Sequence, residues 1–436
     1  MVKKIRSGVL IAVAFLLGAV AMLYVDWFNV IVIGGLLFNI MTTRKDFLMN
    51  LKRPNVFIKL PLCFLVYLLL HTIALKLWGQ ENIRYSYSVF ESLGLYFVLL
   101  PLYLFSNRDL LEDSRLVKKL LLFFTLGVGI LNVAIFFNLV GNSFFHQPLV
   151  AVSDLAASRF GGNKEVFGGF IFLEPQALYI NFAAMFAFYW SLLTQNIFQR
   201  IGFILLFLLL LFFLLLTETK SAYIAFMAGA CMMTFFFLRK KNWKARIGYV
   251  GIVLVCILII GTVAPVSVKE RMKQAKTELN SVMNNELAGG GTIMPRVALY
   301  KVNFSHFDEF GIWGLGVAYT NTVKKWYDEA NYGIGHLTDP HNSFVFFWLI
   351  GGLPGLLFAI SLFIVPLWYM LKRKNFSYLV LALWLILLIA NNTTVLLALN
   401  DSKPLILFFL TLLYLKSEQF RHWEIEYFNR FERERA

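Results

Sequence analysis

Long apolar runs and short polar connections alternate along almost the whole chain, and one long polar interruption, from Val266 to His341, breaks the rhythm. Apolar runs of about 17–25 residues match the roughly 30 Å hydrocarbon core of a bilayer. The pattern predicts twelve spans, at 8–25, 27–42, 55–77, 89–105, 119–140, 165–193, 201–217, 221–238, 247–265, 342–371, 377–398 and 404–415. The second and the last are short. A β-barrel would instead alternate over strands of about ten residues. The expected fold class is therefore all-α: a polytopic helical membrane protein with a long helical loop between its ninth and tenth spans.

Four regions follow. Residues 1–265 hold nine spans, 266–341 form the loop, 342–415 hold three more spans, and 416–436 make a basic tail. Inside the loop, Val268, Met272, Ala275, Leu279 and Val282 recur at helical spacing with Lys and Glu between them, which predicts an amphipathic helix over 268–287. Gly289, Gly290 and Gly291 break it. Pro295 suits the first turn of a second helix, which is expected to carry Val297, Tyr300, Phe304 and Phe307 inward. The tail from Lys416 reads as a basic, aromatic, amphipathic helix at the cytoplasmic interface.

Composition agrees with the pattern. The chain of 436 residues is 59% hydrophobic and 15% charged, against roughly 45–50% and 25% for a soluble protein. A net charge of +15 would by itself suggest nucleic acid. Its distribution argues otherwise. With the N-terminus inside, 25 Lys and Arg fall on cytoplasmic segments and 6 on the opposite short connections, as the positive-inside rule requires. Both termini are thus expected in the cytoplasm and the long loop outside. The first apolar run resembles a signal peptide but lacks a clear small-x-small cleavage site, so it is read as a span. Cys63, Cys231 and Cys256 lie in apolar runs, spaced for neither a disulfide framework nor a metal site.

That orientation leaves a few ionisable groups on the outer side, where burial is costly and often marks function. Lys220 sits between two apolar runs with almost no connection, Arg159 precedes Phe160-Gly161-Gly162, and Arg296 follows Pro295. His341 and Asn342 open the tenth span, Lys403 the last, and Glu174 precedes Pro175 inside the sixth run, where a buried carboxylate beside a kink is expected. Arginine pairs with phosphate oxygens in a planar fork and lysine acts as a point charge. An imidazole can take a hydroxyl proton near neutral pH. Such a set suits a reaction on a diphosphate-linked lipid. Each residue also has a plain reading: Arg296 as a helix anchor, Lys220 and Lys403 as snorkelling hairpin ends, His341 and Asn342 as helix-start groups, and Arg159 and Glu174 as solvated or capping groups. Gly311, Gly314 and Gly316 read as a turn rather than a phosphate cradle, because no P-loop pattern exists.

Taken in order, these pieces resemble the O-antigen ligase and polymerase superfamily of membrane glycosyltransferases. The resemblance rests on Leu216-Thr217-Glu218-Thr219-Lys220-Ser221, Pro295-Arg296-Val297-Ala298-Leu299-Tyr300, the Gly311–Gly316 patch, Pro340-His341-Asn342-Ser343-Phe344 and Gly351-Gly352-Leu353-Pro354-Gly355-Leu356. Arg159-Phe160-Gly161-Gly162 extends it. Lys220 departs from the family's Arg, keeping the charge and losing the fork. The resemblance implies a GT-C-like fold and an inverting, metal-independent, cofactor-free transfer at the periplasmic face of the bacterial inner membrane. The implied donor is an undecaprenyl-diphosphate-linked glycan. His341 would match the family's base, and Arg296 its diphosphate-binding arginine, with Lys220 and Arg159 beside it. The segment from Lys269 to Phe304 looks closer to the ligase, whose acceptor is lipid A–core. The polymerase, acting on a second lipid-linked repeat, stays the alternative. A transporter of lipid-linked glycans shares the layout but is expected to show two related halves, and a non-catalytic scaffold would not need Arg296 and His341 together.

Overall fold

In the computed structural model the described residues are 1–21, 23–52, 56–78, 90, 93–145, 164–166, 169–239, 273, 276–278, 280–281, 283–284, 293–373 and 376–433. Helices α1 (Val2–Ala19), α2 (Val25–Thr42), α3 (Arg44–Lys52) and α4 (Val56–Leu77) come first. A π-helical turn (Leu95–Leu99) then runs into α5 (Leu100–Ser106), followed by α6 (Arg108–Leu111) and α7 (Ser114–Phe145). Strands β1 (Lys164–Val166) and β2 (Gly169–Ile171) pair antiparallel, with Lys164 opposite Ile171. Next are α8 (Leu173–Leu193), α9 (Ile197–Leu216) and α10 (Lys220–Arg239). Then come α11 (Met294–Ser305), α12 (Phe307–Phe310) and α13 (Tyr319–Glu329). The chain closes with α14 (Ser343–Lys372), α15 (Tyr378–Thr393) and α16 (Lys403–Arg433).

The protein is a polytopic helical membrane protein. Among the described residues six helices are long and apolar enough to cross a membrane, namely α2, α4, α7 over Ser114–Phe137, α8, α9 and α14. The expected ninth span, 247–265, lies outside the described residues, as do Gly289–Gly291. Helix α8 is apolar all round and buried along nearly its whole length, the mark of a central helix. It packs against α7, α9, α10, α15 and α16. The Leu/Phe run of α9 fully buries Leu210, Phe213, Leu214 and Leu216, while Ile204, Leu205, Leu208, Leu209 and Phe212 are exposed and left to lipid.

Several boundaries differ from the sequence pattern. Helix α8 starts at Leu173, not 165, because the hairpin takes the preceding residues. Pro175 therefore lies in the first turn, where it lacks no hydrogen bond and makes no kink. Glu174 is half-buried there rather than buried beside a bend. Helix α15 ends at Thr393 rather than 398. The last span and the tail are one element, broken only at Lys416 (φ −123°, ψ 15°), and the tail buries Phe420, Trp423, Glu424 and Phe428 along one side. Helix α11 turns Met294, Ala298, Leu299 and Val302 inward; Phe304 and Phe307 rest against Trp348 yet stay 49% and 40% exposed.

Helix α14 is broken at Gly352, at φ 58° and ψ −149°, a region essentially restricted to glycine. Residues 353–372, at about 1.5 Å rise each, are long enough to cross a core of about 30 Å by themselves. The segment around Gly314 docks into the break. Leu315 and Gly316 donate backbone N–H groups to the carbonyls of Leu349 (2.7 Å) and Ile350 (3.1 Å), and Leu353 donates to Ile312 (2.9 Å). The Tyr67 hydroxyl donates to the Trp313 and Gly351 carbonyls, 3.0 Å each. Irregular backbone near lipid is tolerated where protein satisfies it in this way. A Cβ on Gly314 or Gly352 would collide with the opposing backbone. The glycine patch thus closes a backbone joint.

Candidate active site at one end of the bundle

Helix α10 begins at Lys220, right after α9 ends, so the ammonium is held at one end of the bundle. Its Nζ lies 3.7 Å from Oε1 of buried Glu278. The other oxygen of Glu278 accepts the Ile293 N–H at 2.7 Å. That contact pins the start of α11, where Pro295 occupies the first turn and Arg296 follows. The Arg296 guanidinium is half-buried. Burial lowers its pKa, and the nearby carboxylates of Glu174 and Glu278 only partly offset this; it remains a cation, since arginine does not deprotonate in proteins. No hydrogen bond or ion pair joins it to any described residue.

One turn after Arg296, Tyr300 donates to the Asn392 carbonyl (3.1 Å) and accepts from Asn342 Nδ2 (3.0 Å). Asn342 is the residue after His341. Its Oδ1 caps α14 by accepting from Phe344 N–H (2.8 Å) and Val345 N–H (3.1 Å), as a good N-cap does. Its Nδ2 also reaches Asn392, and Ser343 Oγ donates to Asn391 Oδ1 at 2.8 Å. The helix bearing Arg296, the start of α14 and the end of α15 are therefore stapled together next to His341. The imidazole is 31% exposed and its Nδ1 is 3.1 Å from Asp339 Oδ1.

The structure thus gathers Lys220 and Arg296 around Glu278, with Glu174 near enough to act on Arg296, and ties His341 to the Arg296 helix through Tyr300 and Asn342. Asn342 has its side chain fully occupied by capping and stapling, so it builds the site rather than meeting a ligand. Lys403 belongs to a different cluster: it is buried, donates to Asn400 Oδ1 (3.0 Å) and lies 5.6 Å from the Tyr96 ring centroid. Burial pushes neighbouring Asp401 up to about 6 despite Lys403. Arg159 lies outside the described residues. No group of His, Cys, Asp or Glu among the described residues could hold a metal ion.

The sequence pattern singles out neither Glu278, Asp339 nor the Asn391-Asn392 pair, and reads Tyr300 only as a core-facing residue. Signals existed for two of them. Asp-Pro before His341 is a turn signature, and Asn391-Asn392-Thr393-Thr394 interrupts the apolar run over 377–398. Glu278 carries no local signal, because its partners are 58 residues upstream and 15 downstream in the chain.

The family model described as O-antigen ligase matches residues 205–360, a stretch holding Lys220, Glu278, Arg296, Asp339, His341 and the broken half of α14. No curated protein matches the chain. Over that stretch the chain is similar to the O-antigen ligase family.

Proposed function

We propose that this chain is an O-antigen ligase-like glycosyltransferase of lipopolysaccharide biosynthesis. It moves a glycan from undecaprenyl diphosphate to a sugar hydroxyl of lipid A–core, with inversion and without a metal. The reading sets it in the bacterial inner membrane with both termini cytoplasmic and the site at the periplasmic face. The observation that carries it is the Arg296 guanidinium, half-buried beside carboxylates, without a described hydrogen-bond partner, on a helix stapled to the residue after His341.

In this mechanism the acceptor hydroxyl oxygen forms a bond to the anomeric carbon from the face opposite the diphosphate. The bond from that carbon to the diphosphate oxygen breaks, and its electron pair leaves with undecaprenyl diphosphate. The hydroxyl proton passes to Nε2 of His341. Arg296 binds diphosphate oxygens in pairs. Lys220 adds a point charge once the diphosphate displaces Glu278 from it, and Arg159 supplies a third cation. Cations aimed at the oxygen where charge develops lower the barrier more than they favour the bound substrate.

The test supplies purified protein in vesicles with an undecaprenyl-diphosphate-linked glycan, with and without lipid A–core. Product that requires core supports the ligase. Lengthened lipid-linked glycan without core makes the protein a polymerase. Passage of donor across the bilayer with no bond formed makes it a transporter and overturns the reading.

A further inference from the structure

Three features lie outside the proposed chemistry: the buried Lys403–Asp401 cluster, the Glu424 contact under α15, and Asp339. The first two are satisfied by their own neighbours. Asp339 is different, because one of its oxygens serves His341 twice. Oδ1 accepts the backbone N–H of His341 at 2.8 Å and lies 3.1 Å from its Nδ1. The backbone contact alone would complete an Asx-turn before α14. The ring contact goes beyond that, and it has a chemical consequence: a carboxylate at Nδ1 fixes the proton there and leaves Nε2 bare.

His341 is held on both sides. Its backbone sits in the left-handed region at φ 48°, which costs a non-glycine residue of the order of 1 kcal/mol or more. Asp339 and Pro340 fix the chain before it. Asn342 fixes the chain after it, through the α14 cap and the Tyr300–Asn392 staple. A strained residue pinned from both directions is the usual arrangement where side-chain direction matters.

Resting on the proposed transfer reaction, we infer that Asp339 is a positioning residue for His341: it anchors Nδ1–H, aims Nε2 at the acceptor hydroxyl, and stabilises the imidazolium formed when that hydroxyl gives up its proton. The same division of labour orients the base in hydrolytic triads. The proton ends on Nε2, the Nδ1 proton stays on the ring, and Asp339 remains a carboxylate. Burial pulls its carboxyl up, but the hydrogen bonds and charge of His341 outweigh this and hold it below its ordinary value. The other titratable groups that feel Asp339 are the Tyr319 and Tyr327 hydroxyls of α13, both pushed up by burial, so neither titrates near neutral pH. From α11, Tyr300 is bonded to Asn342.

Asp339→Asn is the informative variant, because asparagine keeps the shape and the backbone acceptor and removes the charge. The expected result is native expression and melting temperature, kcat lowered about 10- to 100-fold with KM nearly unchanged, and the acidic limb of the kcat–pH profile moved to lower pH. That direction follows because losing an opposite charge disfavours the imidazolium. Asp339→Glu is expected to recover part of the rate. Nitrogen-15 NMR of the histidine ring reads the same effect without turnover: the native protein should show the Nδ1–H tautomer at His341, and Asp339→Asn a mixture. Unchanged kcat, pH limb and tautomer in Asp339→Asn overturn the inference while an inactive His341→Ala leaves the base intact. Full activity of His341→Ala overturns the base itself, and Asp339's role with it.

Discussion

Two arginines at opposite ends of this bundle show how differently a buried cation can be used. Helices α1 and α7 run in parallel, α8 runs antiparallel to α7, and so Arg6 near the start of α1 lies far from the Glu174 end of α8. Arg6 is 3% exposed, and its donors are occupied by Asn39 Oδ1 (3.1 Å), Asp109 (3.1 and 3.0 Å), the Ser106 carbonyl (2.9 Å) and Asn107 Oδ1 (3.3 Å). It ties four segments together and has nothing left to offer a ligand. Arg296 is half-buried, feels two carboxylates and makes no hydrogen bond to a described residue. A fully satisfied guanidinium is architecture. One whose donors meet no described residue, near a second cation and a pinned histidine, is suited to an anion that arrives from outside the chain.

The comparison can be broken most sharply by exchanging the two losses. Arg296→Ala should lower glycan transfer by about 10²–10³-fold, the usual effect of removing a transition-state charge partner, while thermal unfolding in detergent stays within about 1 kcal/mol of native. Arg6→Ala should do the reverse. It strands buried polar groups of Asn39 and Asn107 and should lose about 3 kcal/mol of stability, with the rate per folded molecule unchanged. If Arg296→Ala unfolds the protein as readily as Arg6→Ala does, the distinction fails.

A smaller effect sharpens the site's dependence on the α14 break. Gly352→Ala should destabilise by about 2–3 kcal/mol, because alanine disfavours that backbone geometry and would meet the Ile312 carbonyl. Hydrogen exchange should then rise first at 312–316, the segment docked there.

The smallest effect concerns the Arg6 end. Glu424 accepts from Ser377 Oγ (2.8 Å) and from the Tyr378 and Leu379 N–H groups, latching the tail beneath α15. Burial raises its pKa to about 7 from 4.5, although those hydrogen bonds oppose the shift. A raised carboxyl pKa means the docked tail binds the proton more tightly than the undocked one, so docking is strongest below about pH 4.5 and weakens as pH rises to 7. Hydrogen-exchange protection of the tail should fall about tenfold across that window in the native protein and stay flat in Glu424→Gln.

Much of this was legible in the chain, and the misses share a cause. Span lengths, the Pro295 helix start and the four polar residues Lys220, Arg296, His341 and Asn342 could be read because each sits at a local change from apolar to polar. The apolar pattern begins helix α8 eight residues early because Gly169-Phe170-Ile171 is as apolar as the helix it precedes. Val297 and Tyr300 pack against the core as their spacing predicts, whereas Phe304 and Phe307 stay exposed beside Trp348, because apolar character alone does not tell which side of a helix is covered. Glu278, Tyr300 and Asp339 acquire meaning only through partners that the fold supplies.

The most direct measurement of the central claim is the thermal stabilisation of purified protein by undecaprenyl diphosphate, read as the rise in Tm with ligand concentration. Native protein and His341→Ala should both show a saturable rise, because the base does not hold the diphosphate, and Arg296→Ala should show little or none. A full rise in Arg296→Ala would contradict the assignment of its guanidinium to the diphosphate.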